Sequence, residues 1–291
     1  MTQRPAPTTR SLPLRAGRGV CVAAGLLLGV LAGCGAAPIR PPADALTSAA
    51  PLWQAIDARD DQAVTARIRA SVEVFSADGR ARVRQVLLVG GPGRFRIETL
   101  SPVDTTLSVI ACDGERLIYY DVDGGRFYAG APTAQNLARV ARLPLDPTDL
   151  TRLLLGGPPV DPSTQAAADW ALAWDEQLGA YRLRRTEPDA GRLDVWVRHA
   201  SWTTVAARLT DAAGGRRLEL TSADVRPVES DGVRIDVARR LRIVMPHEQV
   251  DLSIEVDRYD LNPNLPPTLF SIAPPRGITV ESLDASRSVP P

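Results

Sequence analysis

The chain has 291 residues with 34 basic and 34 acidic side chains, so its formal net charge is zero. That balance excludes a global field for recruiting nucleic acid, and no nucleic-acid partner is expected. Only three cysteines are present, Cys21, Cys34 and Cys112, too few for a disulfide-stapled scaffold of this length.

Arg10, Arg15 and Arg18 precede an apolar run from Val20 that closes on Leu31-Ala32-Gly33-Cys34. A basic leader, an apolar core and a small-residue processing site predict a secretory signal over residues 1–33, too short to span a bilayer as a mature helix. The Leu-Ala-Gly-Cys ending resembles the lipobox of bacterial lipoproteins. That resemblance implies that Cys34 carries diacylglycerol, becomes the first residue of the mature chain and anchors it to a membrane. Residues 34–43, rich in Ala and Pro, read as a flexible tether. A folded domain is expected over 44–283, and a disordered tail over 284–291.

Leu52, Trp53 and Ile56 fall on one side of a helix predicted over 51–57. Strand and turn signals then alternate: apolar runs over 64–75, 82–89, 95–100, 107–111, 117–120 and 126–128 are separated by turns, most of them Gly-bearing, such as Asp113-Gly114 and Asp123-Gly124-Gly125. Phe95, Ile97 and Thr99 alternate with Arg94, Arg96 and Glu98, giving that strand an apolar and a charged face. Leu137 and Val140 mark a short helix after Pro132-Thr133. A second helix starts at Pro147 with Asp146 as its cap, and Leu150, Leu153 and Leu154 form its stripe.

Strands resume near Trp170 and end on the clearest alternation in the chain, Val250, Leu252, Ile254 and Val256 against Asp251, Ser253, Glu255 and Asp257. About ten to twelve antiparallel strands with a few helices are expected. The proline-rich stretch after Leu261 reads as a strap across the sheet, because proline removes ladder donors. The pattern leaves open whether the apolar face packs on itself or encloses a cavity.

Polar chemistry is sparse. His199 and His247 have no second histidine or cysteine at ligand spacing, so no metal is expected. Gly90-Gly91-Pro92-Gly93 lacks the Lys-Ser/Thr of a phosphate loop, and no Gly-x-Ser-x-Gly elbow occurs. Neither an enzyme nor a cofactor is expected. Cys112, inside the apolar run Ser108-Val109-Ile110-Ala111-Cys112, reads as a small buried hydrophobe.

The run Arg94-Phe95-Arg96-Ile97-Glu98, the turn Ser101-Pro102-Val103-Asp104, the Asp-Gly turns and Leu143-Pro144-Leu145-Asp146-Pro147 leading to Leu153-Leu154-Leu155-Gly156 resemble LolB, the outer-membrane lipoprotein receptor, and its superfamily with the periplasmic carrier LolA. The resemblance implies a half-open antiparallel β-barrel with a helical lid over an apolar cavity for lipoprotein acyl chains. Its implied partners are a membrane, lipid or lipoprotein acyl chains and a LolA-like carrier, at the periplasmic face of a Gram-negative outer membrane. Val103 matches the place of the family's membrane-contact loop. The residues expected to line the cavity are Phe95, Ile97, Leu107, Val109, Leu137, Leu150, Leu154, Leu218, Leu220, Leu252 and Ile254. The expected function is acyl-chain binding in lipoprotein reception or lipid transport. The alternative is a non-enzymatic assembly or sensor lipoprotein that binds protein partners with the same fold.

Overall fold

The computed structural model of the chain describes residues 37–76, 79–160 and 169–284, so Cys34, the leader and most of the tail lie outside the described residues. Helix α1 (Ala49–Asp60) is followed by six strands: β1 (Ala66–Ser76), β2 (Gly79–Val89), β3 (Arg94–Leu100), β4 (Thr106–Asp113), β5 (Leu117–Asp121) and β6 (Arg126–Gly130). Two short helices come next, α2 (Ala134–Ala141) and α3 (Pro147–Leu154). The remaining strands are β7 (Ala171–Asp175), β8 (Ala180–Thr186), β9 (Arg192–Arg198), β10 (Thr204–Thr210), β11 (Arg216–Ser230), β12 (Val233–Met245), β13 (Val250–Leu261) and β14 (Val280–Ser282).

All of these strands form one sheet in the order β14-β6-β5-β4-β3-β2-β1-β13-β12-β11-β10-β9-β8-β7. Two meanders, β1 to β6 and β7 to β13, are joined where β1 pairs antiparallel with β13. The order has two ends, so the sheet is curled but open, the half-open arrangement expected. Its fourteen strands exceed the ten to twelve expected. β14 is one that alternation could not reveal: three residues in a proline-rich tail pair parallel with β6. The turns follow from their side chains. Asp113 Oδ1 accepts from the Glu115 and Arg116 amides at 3.0 and 2.8 Å, while Gly114 takes φ 96°.

The chain leaves the sheet from β6, near one edge, and re-enters at β7, the opposite edge. Eleven strands lie between them, roughly 58 Å at about 4.8 Å per strand if flat. The connection crosses the apolar face, and α2 and α3 lie on that crossing. α3 begins as expected: Pro147 stands in its first turn and Asp146 accepts from the Thr148 amide at 2.9 Å. It is fixed to the sheet beneath. The Thr151 hydroxyl accepts from the Gly93 amide at 3.1 Å, the Leu154 carbonyl from the Tyr259 hydroxyl at 3.3 Å, and the Gly156 carbonyl from the Thr204 amide at 3.0 Å.

α1 covers the other half of the face with Leu52, Trp53 and Ile56, all buried, and Trp53 meets Trp170 edge-on at 5.3 Å. Its last turn carries a buried cation. Arg59, 5 % exposed, donates to the Leu155 carbonyl just past α3, to the Asp236 carbonyl of β12 at 3.3 Å and to Asp60 at 2.8 Å. Arg152 adds a second charge beside Asp60, at 3.7 Å. Burial still pushes the Asp60 carboxyl above its ordinary value, against the pull of both arginines. Gly156, at φ 88°, lies so close that an added Cβ would stand 2.5 Å from the Arg59 guanidinium. One side chain thus ties α1, the end of α3 and β12 together.

The outer face is charged and cross-linked. Arg242 holds Asp251 through two hydrogen bonds of 2.9 and 2.5 Å, Glu219 accepts from Arg208 at 2.7 Å and Arg216 at 2.6 Å, and buried Asp194 accepts from Arg184 and Arg192. After β13 the chain becomes the expected strap. Asn262 binds the Val64 and Thr65 amides, Phe270 is buried against Gly90, and Ile272 and Ile278 cover Ile118, Phe127 and Ala129 on the back of β5 and β6. The strap rounds the edge at β14, and Leu283, fully buried, joins the main core. Asp284, placed at the start of the expected tail, accepts from Asn136 Nδ2 at 2.7 Å.

The amino-terminal boundary also differs from the expectation. The Ile39 amide donates to the Glu176 carbonyl at 2.8 Å and its carbonyl accepts from Trp174 Nε1 at 2.8 Å, so chain assigned to the tether is docked on the β7–β8 turn ahead of Asp44. Proline there removes amide donors, yet Ile39 retains both backbone groups.

Arg59→Leu is expected to cost about 3 kcal/mol, because it strands the buried Asp60 carboxylate and two carbonyls. Urea denaturation of wild type and variant measures it. Glu219 and Asp251 are held below the usual carboxylate range, chiefly by the hydrogen bonds from Arg208 and Arg242 respectively. Groups held low in this way add stability that is complete above their unfolded values, about 4, and lost as the pH falls through the folded ones. Thermal melts from about pH 7 to about pH 3 should therefore drop along an acid limb that Glu219→Gln with Asp251→Asn flattens.

Candidate functional site

The apolar face is filled on one side and hollow on the other. Where the end of α3 meets β10, β12 and β13, the space left among Leu153, Val237, Leu241 and Tyr259 is about 20 Å³. Under α2 and α3, a cavity of about 380 Å³ remains open to solvent. This volume lies within the ~300–1,000 Å³ of ordinary small-ligand pockets.

The walls of the cavity follow from register. Val72 and Val74 of β1, Gln85 and Leu87 of β2, Ile97 and Thr99 of β3, Ser108 and Ile110 of β4, Tyr119 of β5, and Leu252 and Ile254 of β13 all line it. These are cross-strand partners: Val74 pairs with Leu252, Leu87 with Ile97, and Ile97 with Ile110. Directly paired residues share a face of the sheet. The lid contributes Arg139, Val140, Ala141, Arg142, Leu143, Leu150 and Leu154. Along β2 the lining runs from Gly79 to Leu87, about 27 Å at about 3.4 Å per residue, so the cavity is elongated. Among the described residues no carboxylate lines it.

Of the residues expected to line a cavity, Ile97, Leu150, Leu154, Leu252 and Ile254 do so. Phe95 and Leu137, both fully buried, lie in the same apolar cluster but pack within it. Leu218 and Leu220 of β11 belong to the filled half of that cluster. Leu107 and Val109 are corrections. They alternate with the lining residues Ser108 and Ile110, and Val109 pairs with Tyr120, which packs against the strap on the back of the sheet. β4 is covered on both faces, so its residues read as apolar at nearly every position and alternation could not choose a side. The cross-strand partners of Ile97 were the usable signal for the residues that sequence reasoning missed.

The cavity reaches the end of the sheet formed by the β1–β2 hairpin and the β3–β4 turn, since Ser76, Gly79, Thr99 and Ser108 all line it. Val103 stands on that β3–β4 turn, 81 % exposed. The turn is braced: the Ser101 hydroxyl accepts from the Val103 and Thr105 amides, Arg84 donates to the Ser101 and Pro102 carbonyls, and Asp104 takes φ 64°. Phe75, 43 % exposed, lies at the same end beneath the Arg80 guanidinium.

Away from this cavity, His199 lines a second, more open hollow of about 560 Å³ with Arg198, Trp202 and Arg234. Cys112 is fully buried, and burial pushes its thiol up to about 11, which leaves it without thiolate character. His199 bonds the Tyr181 hydroxyl at 3.3 Å and lies 3.4 Å from Asp44 within a cluster that includes Trp202. Among the described residues no three His, Cys, Asp or Glu side chains group as a metal site, and no helix is long and apolar enough to cross a membrane.

No protein-family model and no curated protein sequence matches the chain. Solved structures do. A putative outer membrane lipoprotein-sorting protein domain from Vibrio parahaemolyticus superposes with a TM-score of 0.52 and 12% identity over 76% of this chain and 94% of that one. A DUF1329 family protein from Desulfovibrio piger superposes with a TM-score of 0.55 and 13% identity over 77% of this chain and 97% of that one. At these identities the likeness concerns the fold, and the fold of this chain is that of the lipoprotein-sorting domain, a curled open sheet with a helical lid, as the resemblance of Arg94 to Gly156 led us to expect.

Proposed function

We propose that this protein is an acyl-chain-binding component of the bacterial envelope, acting in lipoprotein reception or lipid transport at the outer membrane. The observation that carries the reading is the elongated, largely apolar cavity of about 380 Å³ under α2 and α3. Acyl chains need such a host, because each methylene transferred from water is worth about 0.8 kcal/mol and a chain of about ten would resist crossing water by about 8 kcal/mol. Leu87, Ile97, Ile110, Leu150, Leu252 and Ile254 offer the side-chain surface that replaces water around it. The fold shared with a lipoprotein-sorting domain supports the same reading.

Cys34 is the proposed lipid anchor, which would keep the cavity beside the membrane, and a periplasmic carrier of the same superfamily is the proposed donor. Val103, apolar and exposed on a rigid turn at the cavity end of the sheet, is the proposed membrane contact. A braced turn holds an apolar tip in place without the entropy cost of ordering it on contact.

The test uses the full chain carrying Cys34→Ser, so that no acyl group of its own competes. The neutral fluorophore N-phenyl-1-naphthylamine should brighten on binding, and palmitoyl lipids should displace it. Ala141→Trp, which places an indole in the void from the lid, is expected to weaken uptake at least tenfold, by about 1.4 kcal/mol or more, with the melting temperature retained. No fluorophore uptake, together with no lipid in native mass spectra of the purified protein, would sink the reading.

A further inference from the structure

The cavity has a closed end, and the residues that close it have a second space behind them. Along β2 the lining passes from exposed Gly79 and Ala81, through half-buried Gln85, to buried Leu87. Leu87, Leu154 and Ile254 line that inner end, and the same three residues line the space of about 20 Å³ at the end of α3. They are therefore a partition between the solvent-open cavity and a small chamber. The partition is fixed from the chamber side. The Leu154 carbonyl accepts from the Tyr259 hydroxyl at 3.3 Å, and two residues further on the Gly156 carbonyl accepts from the Thr204 amide at 3.0 Å.

The chamber carries polar groups of its own. Thr204 of β10 and Ser222 of β11 line it, and both hydroxyl oxygens are buried with no partner among the described residues. Tyr259 lines it too, and its hydroxyl, which donates to the Leu154 carbonyl, keeps lone pairs to accept with. Buried hydroxyls are ordinarily hydrogen-bonded, so two orphans on one small space point to a ligand that bonds both. A space of about 20 Å³ has room for one water molecule and nothing larger. A buried water takes about three partners, the number of hydroxyls that this chamber offers.

We infer that the chamber holds one water, bonded by Thr204, Ser222 and Tyr259, and that this water, behind the partition of Leu87, Leu154 and Ile254, sets the longest acyl chain the cavity accepts. The inference rests on the acyl-binding reading and adds a length limit to it. Magnitudes decide where a chain stops. Each methylene buried against the lining is worth about fourfold in affinity. A chain end pushed past the partition takes the place of the water and offers neither donor nor acceptor. It strands the Thr204 and Ser222 hydroxyls at about fivefold or more each, about thirtyfold together. One further methylene cannot offset that loss. Affinity therefore climbs with chain length until the terminal methyl meets Leu87 and Leu154, and no further.

Displacement of N-phenyl-1-naphthylamine from the Cys34→Ser chain reads the limit, with straight-chain fatty acids of about ten to about twenty carbons, below their micelle concentrations, as competitors. Affinity should rise about fourfold per methylene to one length and then flatten or fall. Thr204→Val with Ser222→Ala removes both hydroxyls at nearly constant shape, and the break should move to chains about one or two methylenes longer. Chains shorter than the break should bind variant and parent alike, a length-specific change that general loosening of the core would not give. Ser222→Ala alone, the milder change, should strengthen binding of the first chain past the break about fivefold. An affinity that keeps climbing through the longest chain, or a break that neither variant moves, overturns the length limit and leaves acyl binding standing. Displacement by no chain of any length overturns the acyl reading itself.

Discussion

A sheet whose entry and exit strands stand at opposite edges obliges its chain to cross one face, and here that crossing decides everything above the sheet. β6 and β7 are separated by eleven strands, so the intervening segment runs over the concave apolar side where α2 and α3 are found. Crossing the charged outer face would have left the concave Val, Leu and Ile side chains in water. Apolar area removed from water is worth about 25 cal/mol per Å², which makes covering that face the dominant gain available to this topology. The two ends of the chain close what the crossing leaves open. α1 covers the β7–β13 half, and the strap turns over the back of β3 to β6 before Leu283 enters the core from the edge.

The contrast between filled and hollow halves comes from what each cover contributes. α1 inserts Leu52, Trp53 and Ile56, and Arg59 draws its last turn against β12 and the end of α3. Large side chains pulled down by a buried cation leave only about 20 Å³ where the end of α3 meets β12 and β13. α2 instead offers Val140, Ala141 and the two arginines over β1 to β5, and its first turn is held at the sheet edge by Asn136 bonding Asp284 and the Ala131 carbonyl. Beneath it the sheet contributes Gln85, Thr99 and Ser108 beside Leu87, Ile97 and Ile110, a more polar lining than that of the filled half.

Much of this was legible wherever one face of an element meets water. The alternation at Phe95 to Thr99 and Val250 to Val256 placed Ile97, Leu252 and Ile254 on the lining face, and Asp146-Pro147 located the start of α3. The signal failed where both faces are covered. Leu107 and Val109 looked inward because β4 is apolar on both sides, and the cover on its back is a proline-rich tail that carries no periodicity of its own. Leu218 and Leu220 were assigned to the correct face of the sheet but lie in its filled half, a distinction that depends on which helix covers which strands. Docked backbone was equally silent. Ile39 is fixed through its amide and carbonyl, groups every residue type shares, so composition suggested a tether where the chain is bonded.

The strap gives the lid a property that neither helix has alone. Its last residues bond α2 directly: Asp284 to Asn136, and the Leu283 carbonyl to Arg139. A helix of eight residues has little stability of its own, because nucleation costs are recovered only over longer runs. α2 is therefore maintained by tertiary bonds at the sheet edge. Beyond Arg139 the chain passes through the left-handed residue Arg142 to Leu143, and both line the cavity. The lid is thus held from two sides: Gly93 and Tyr259 fix α3 from the sheet, and the C-terminal strap, which looks in sequence like an appendage, holds α2 over the cavity.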